Sequence, residues 1–338
     1  MSTKIDLEIP MAELHRQLML KGLDEVLAES ETLADERRAR WAHEILSTEH
    51  DTVNYLHSGF CQAALPHREP KHANEPWVRR NGAYQLVIRP GILPLRDKII
   101  QVGVPYGTKA RLIMIYFQTE AVKSRSQVVD LGPTMASWLK KMGLTTSGGA
   151  RGSYAPVREQ ALRIARSEFT MRFEKGAQEA RLADQRIVDA MDLWRDDTAD
   201  EPDLFRTGGE WVRHIKLSDA FFEHLMEHSV PLSEEAIARL KHSSLALDLY
   251  VWLTYRLHPL KKETTVPWHA LSDHFGSESG HRQLAFRLKE VLKDVISVYP
   301  EADVEATGRG LLLRPSKPSV PISSVVVRLP TRKTAVSS

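Results

Sequence analysis

The sequence predicts a mainly α protein with short β hairpins, an α+β chain built from two tandem winged-helix domains. Three observations predict it. Apolar residues recur three and four apart over most of the chain, the helical period. Short alternating stretches, the signature of strands, interrupt them at "EFTMRF" and "ADVEATGRGLLL". The order of helix, turn, helix and hairpin occurs twice, each time with a basic helix just before the hairpin.

Residues 1–95 read as a charged helical segment followed by a loop and a strand. "ADERRARWAHEIL" mixes both signs, as a solvated helix face does, and "LPHREPKHANEPW" is an extended, Pro-rich loop. "YQLVIRPG" (84–91) alternates and ends at Pro-Gly. Residues 96–194 form the first winged-helix domain. "GTKARLIMIYFQTEAV" is a helix with a broad apolar face, and "QVVDL" a short strand. Pro133 suits a first helical position, Met135, Trp138, Leu139 and Met142 follow at helical spacing, and Gly143 fits the stop. Pro156 starts the basic helix, whose face carries Val157, Ala161, Ile164 and Ala165. Phe169, Met171 and Phe173 alternate as a strand that turns at Lys175-Gly176.

Residues 195–210, acidic with Pro and Gly-Gly, read as a linker, and residues 211–320 as the second winged-helix domain. Ser218 and Ser233 cap two short helices. "LALDLYVWLTYRL" is a buried helix by its near-continuous apolarity. In "HRQLAFRLKEVLKDV" Leu284, Leu288, Val291, Leu292 and Val295 share a face. A hairpin turns at Gly308-Arg309-Gly310, and residues 321–338 are a loose tail rich in Pro, Ser and Thr.

The net charge of +2 means that any basic surface is local. The single cysteine, Cys61, allows no intrachain disulfide and no paired-cysteine zinc site, and fits a reducing cytoplasm. The N-terminus lacks the basic and apolar regions of a secretory signal, and no apolar run reaches membrane-spanning length.

A helix in a major groove needs an apolar face for its own domain and long donors on the other. The first basic helix offers Arg158, Gln160, Arg163 and Arg166 at positions outside its apolar stripe. Arg151 and Ser153 precede it, where backbone N–H groups favour a phosphate, and Lys175 lies at the hairpin turn. The second offers Arg282, Gln283, Arg287, Lys289 and Lys293, with Arg309 at the wing tip and Arg314 just past it. Arginine suits guanine edges and phosphates, and glutamine suits adenine. A solvated helix face would carry the same residue types, with Glu159 and Glu290 as pairing partners. The duplication favours duplex DNA, because both modules put the basic helix in the recognition position.

One motif points to other chemistry. "HLMEH" matches His-x-x-Glu-His, in which His224 and His228 would bind zinc and Glu227 would act as base. Three fixed positions in five arise readily by chance, and histidines at a helix end also suit the dipole. "SGGAR" lacks the Gly-Lys-Ser/Thr of a phosphate loop, and there is no Ser nucleophile elbow or His-hydrophobic-His pair. No enzyme activity and no cofactor are expected.

Several stretches resemble the plasmid-encoded RepA-type replication initiators. They are "HSGFCQAALPHR" (57–68), "GVPYGTKARLIMIYFQTEAV" (103–122), "MASWLKKMGL" (135–144), "VREQALRIARSEFTM" (157–171), "FFEHLMEHSVPLSEEAIARLKHSSLALDLYVWLTYRL" and "VYPEADVEATGRGLLLRPSKPSV". The resemblance spans about residues 55–320. It implies two winged-helix domains that bind iteron repeats at a plasmid origin, open the adjacent DNA and draw in the host initiator and replicative helicase. It also implies copy control through autorepression, a switch between homodimer and monomer, and a bacterial cytoplasmic location on plasmid or nucleoid. A winged-helix repressor without a replication role is the alternative within the binding class.

Overall fold

The computed structural model describes residues 11–47, 52–95, 98–147, 152–175, 179–191, 214–276 and 281–320. Helices and strands are mixed along the chain, as expected for an α+β protein. The expected linker at 195–210 and tail at 321–338 lie outside the described residues. The chain divides into two compact units. The terminal unit is Met1–Val53 with Leu232–His269 and Ser279–Ser338; the central unit is Asn54–Pro231 with Ala270–Glu278. Neither is a contiguous piece of chain, whereas the expected domains were.

In the terminal unit, the helices Glu13–Lys21, Leu23–Ala28 and Leu33–Ser47 close on a small core of Leu18, Val26, Ala39, Ala42 and Leu46. Gly22 separates the first two helices at φ 85, a left-handed conformation that suits glycine. The helix Leu33–Ser47 packs on the long helix His281–Val298. Arg38 Nε donates to Asp294 at 2.7 Å, Ala12 N donates to Pro300 O at 2.9 Å, and His15 Nε2 lies 3.1 Å from Ser297 O. The charged N-terminal helices therefore complete the same core as the second basic helix.

The buried helix Ser244–Leu257 starts at the Ser243 cap, and Ser233 caps Glu234–Leu240 as predicted. Its Tyr250 hydroxyl accepts from Ser233 N at 2.8 Å. A three-stranded antiparallel sheet has Gly310–Leu313 in the centre, with Thr264–Pro267 and Val304–Ala306 on its two sides.

The central unit is organised on a four-stranded antiparallel sheet in the order Trp77–Asn81, Tyr84–Arg89, Glu168–Lys175, Glu179–Arg186. Register places Leu86 opposite Met171 and Ile88 opposite Phe169, so the alternating apolar residues share one buried face. Trp77–Asn81 is an edge strand, and its first residue is the last of the expected loop. The helix Gly107–Ser124 is buried on more than one side, and its Phe117 ring stacks on Trp138 with centroids 6.0 Å apart.

The helix Met135–Lys141 begins at Thr134, which forms a capping box with Ser137. Pro133 therefore precedes the cap instead of opening the helix. A second sheet pairs His214–Leu217 with Val128–Asp130 on one side and Val188–Met191 on the other. His214–Leu217 and the helix Asp219–His228 thus belong with residues 54–191, although the sequence groups them with the helices C-terminal to them. Partners chosen across the sheet, not chain proximity, decide membership.

Candidate nucleic-acid interface

The first basic helix runs from Tyr154 to Arg166 and packs on Gly107–Ser124 through Val157, Ala161, Ile164 and their neighbours. The sequence puts Gln160 and Arg163 on its outward side; the structure buries both. Gln160 is 3% exposed, and its Oε1 accepts from the backbone N–H of Tyr106 at 2.8 Å. Arg163 is 7% exposed. It donates to Val104 O at 3.1 Å and to Glu69 and Glu159, each at 2.6 Å, and its guanidinium lies 5.0 Å from the Tyr106 ring centroid.

The reason is a second packing surface. The hairpin Gly91–Leu95 and Lys98–Gly103 covers the side that a one-stripe reading leaves to solvent. Arg166 is half-buried and donates to Ile92 O at 2.9 Å. Arg158 is half-buried too, and burial lowers its guanidinium pKa. Ser153 sits in helical backbone geometry, without a side-chain cap, and its hydroxyl donates to Thr145 O. Arg151 and the side chain of Lys175 lie outside the described residues.

The second basic helix, His281–Val298, fits its expectation closely. Leu284, Leu288, Leu292 and Val295 are buried, while Arg282, Gln283, Arg287, Lys289 and Lys293 are all exposed. Among the described residues, Arg282, Gln283 and Arg287 make no hydrogen bond or ion pair. Lys293 pairs with Glu290 at 3.1 Å, and Lys289 lies 5.8 Å from the Trp268 ring centroid. Phe286, not singled out by the sequence reasoning, stands on this same face and is 70% exposed.

Arg309 is exposed at the turn between Val304–Ala306 and Gly310–Leu313, as predicted. Arg314 is a correction. Its guanidinium meets Asp303 at 2.8 Å, Glu305 at 2.9 Å and Glu263 at 3.8 Å, so carboxylates of its own unit already neutralise it. These hydrogen bonds also raise its pKa.

The histidine motif lies in the central unit. The backbone N–H of Gly59 donates to His57 Nδ1 at 3.0 Å, which leaves His57 Nε2 to donate to His224 Nδ1 at 2.7 Å. The His228 ring lies 4.4 Å from that of His224. His224 thus has one nitrogen engaged by a buried imidazole. Among the described residues, no three His, Cys, Asp or Glu side chains converge to hold a metal ion. Burial, helped by the two neighbouring imidazoles, lowers the His57 pKa to about 3.

Residues 104–269 match the family described as plasmid encoded RepA protein. Over these residues the chain is similar to the plasmid-encoded RepA family. The RepA region takes in the first basic helix and ends before His281–Val298, so the exposed second helix rests on its own geometry. RepA proteins are plasmid replication proteins.

No curated protein matches the chain. A crystal structure of domains 2 and 3 of RctB, in selenomethionine form, is similar at TM-score 0.52 and 13% identity. It covers 78% of this chain and 99% of that one, a likeness of fold alone. Another crystal structure of RctB domains 2–3 has TM-score 0.48 and 13% identity, with 76% of this chain and 96% of that one covered. No described helix is long and apolar enough to cross a membrane.

Proposed function

We propose that this chain is a non-catalytic replication initiator that binds duplex DNA at repeated sites of a plasmid origin. In this reading it opens the adjacent duplex and draws in the host initiator and replicative helicase from the cytoplasm. The observation that carries the DNA reading is the face of His281–Val298. There Arg282, Gln283 and Arg287 are exposed and without protein partners among the described residues, above a fully buried leucine row. That is the division a major-groove helix requires.

The helix and the hairpin that turns at Arg309 would act as recognition helix and wing of a winged helix within residues 211–320. The helix Tyr154–Arg166 would play the matching part within residues 96–194. Its buried Gln160 and Arg163 would set the fold of that module, with Arg158 and Arg166 nearer its surface. The RepA region supports a replication role over simple DNA binding.

The test is capture of random fragments of source DNA by the full chain at low and high salt, read by sequencing. Phosphate binding fades steeply with salt, while base readout persists better. Direct repeats near the gene retained at high salt are the expected result. A single inverted repeat at a promoter would make the protein a repressor, and no retained sequence would overturn the DNA reading.

A further inference from the structure

We propose that Phe286 is a specificity-determining residue whose ring packs on the C5-methyl group of a thymine in the major groove. The inference rests on the duplex-DNA reading of His281–Val298. Phe286 points away from its own core: Leu284, Leu288, Leu292 and Val295 occupy the opposite side of the helix. At 70% exposure the ring adds little to the packing of its unit. Its surroundings are those of a nucleic-acid contact. Arg282 and Gln283 lie one turn before it, Lys289 and Glu290 one turn after, and Arg287 beside it, all exposed. Leu33 is more exposed, at 82%, yet it stands among Asp35 and Glu36 and has no such setting.

Base chemistry then assigns the partner. In the major groove arginine suits guanine and glutamine suits adenine, while thymine alone presents a methyl group to an apolar side chain. An aromatic ring among arginine and glutamine completes a set of contacts for three different bases. A second copy of this face is disfavoured as occupant, because a self-complementary contact would bring Arg282, Arg287 and Lys289 against their own images.

The experiment selects duplexes from a random-sequence pool with the full-length chain. Each thymine of the recovered consensus is then replaced in turn by deoxyuridine, which lacks only the methyl group. One replacement is expected to weaken wild-type binding about fourfold, the affinity worth of one buried methyl. Phe286→Ala should show no further loss at that position, and Phe286→Leu should keep most of the penalty. Both variants should unfold at the wild-type midpoint, since the ring is outside the core.

A consensus without thymine, no deoxyuridine effect, or the same effect in wild type and Phe286→Ala would overturn the proposal while leaving the DNA reading intact. So would a loss of dimer in Phe286→Ala by sedimentation with an unchanged methyl response. If no consensus is recovered, or Arg287→Ala binds it as wild type does, the DNA reading of the helix fails and takes the thymine contact with it.

Discussion

Arg38 and Asp294 join two ends of the chain: the arginine Nε donates to the carboxylate at 2.7 Å, from the third N-terminal helix to the back of the second basic helix. The arginine side chain is 9% exposed and the aspartate 19%, so water screens the pair poorly. Removing one partner leaves the other partly buried with a more exposed counter-ion alone: Arg38 keeps Asp35 at 3.0 Å, and Asp294 keeps Arg37 at 3.1 Å. Asp294→Ala should therefore destabilise the terminal unit by about 2 kcal/mol. Urea unfolding of Asp294→Ala, Arg38→Ala and the double variant would measure it, and additive losses would contradict the coupling.

Arg163→Ala should act on folding. The side chain holds Val104 O, Glu69 and Glu159 together inside the central unit. Its loss should cost about 3 kcal/mol of stability. The ratio of affinities for specific and scrambled duplex should stay at its wild-type value at a temperature where the variant is folded. A changed ratio would return Arg163 to the DNA surface.

Arg287→Ala should act on recognition. With no partner of its own among the described residues, it should leave the unfolding midpoint within about 0.5 kcal/mol of wild type. Affinity for the selected duplex should fall by about 1–3 kcal/mol, with a smaller loss on scrambled sequence. An equal loss on both, with a salt slope lower by about one, would mark a phosphate contact instead.

Acid should destabilise the fold through two buried histidines. Burial lowers the pKa of His15 to about 4 and that of His57 to about 3, against 6.5 for the free side chain. Below pH 6.5 the unfolded chain takes up protons that these folded imidazoles refuse, so stability falls as pH falls, towards pH 4 and 3 respectively. Each contributes a slope of at most about 1.4 kcal/mol per pH unit in that window. Urea midpoints between about pH 7.5 and 5 should decline accordingly, and His15→Asn should flatten the decline. An unchanged slope in that variant would remove His15 from the account.

The second basic helix was legible because it obeys one period. Its leucine row faces the core of its own unit, and all five cations and amides named from the sequence stand off that row on the surface. The first basic helix has the same kind of pattern but packs on two sides, and nothing in its spacing announces the hairpin at 91–103. Gln160 and Arg163 look like surface residues because long polar side chains are as well suited to capturing loop backbone as to reaching bases. Arg314 misled for a related reason: Glu263, Asp303 and Glu305 converge on it only when three strands pair. Phe286 was readable as an apolar residue out of phase with the leucine row, and that mismatch was the available signal.

The divided make-up of the terminal unit bears on synthesis. The helices between Glu13 and Ser47 leave the ribosome well before the helix they pack against, which ends at Val298. Until that helix emerges, the cluster around Leu18, Val26, Ala39, Ala42 and Leu46 has only the three N-terminal helices to draw on, too little to stand alone. The central unit, nearly complete once Pro231 has emerged, has its chain available much earlier. Closure of the terminal unit is a late, long-range event, and a nascent chain stalled before Val298 would display its N-terminal helices without the surface that covers them.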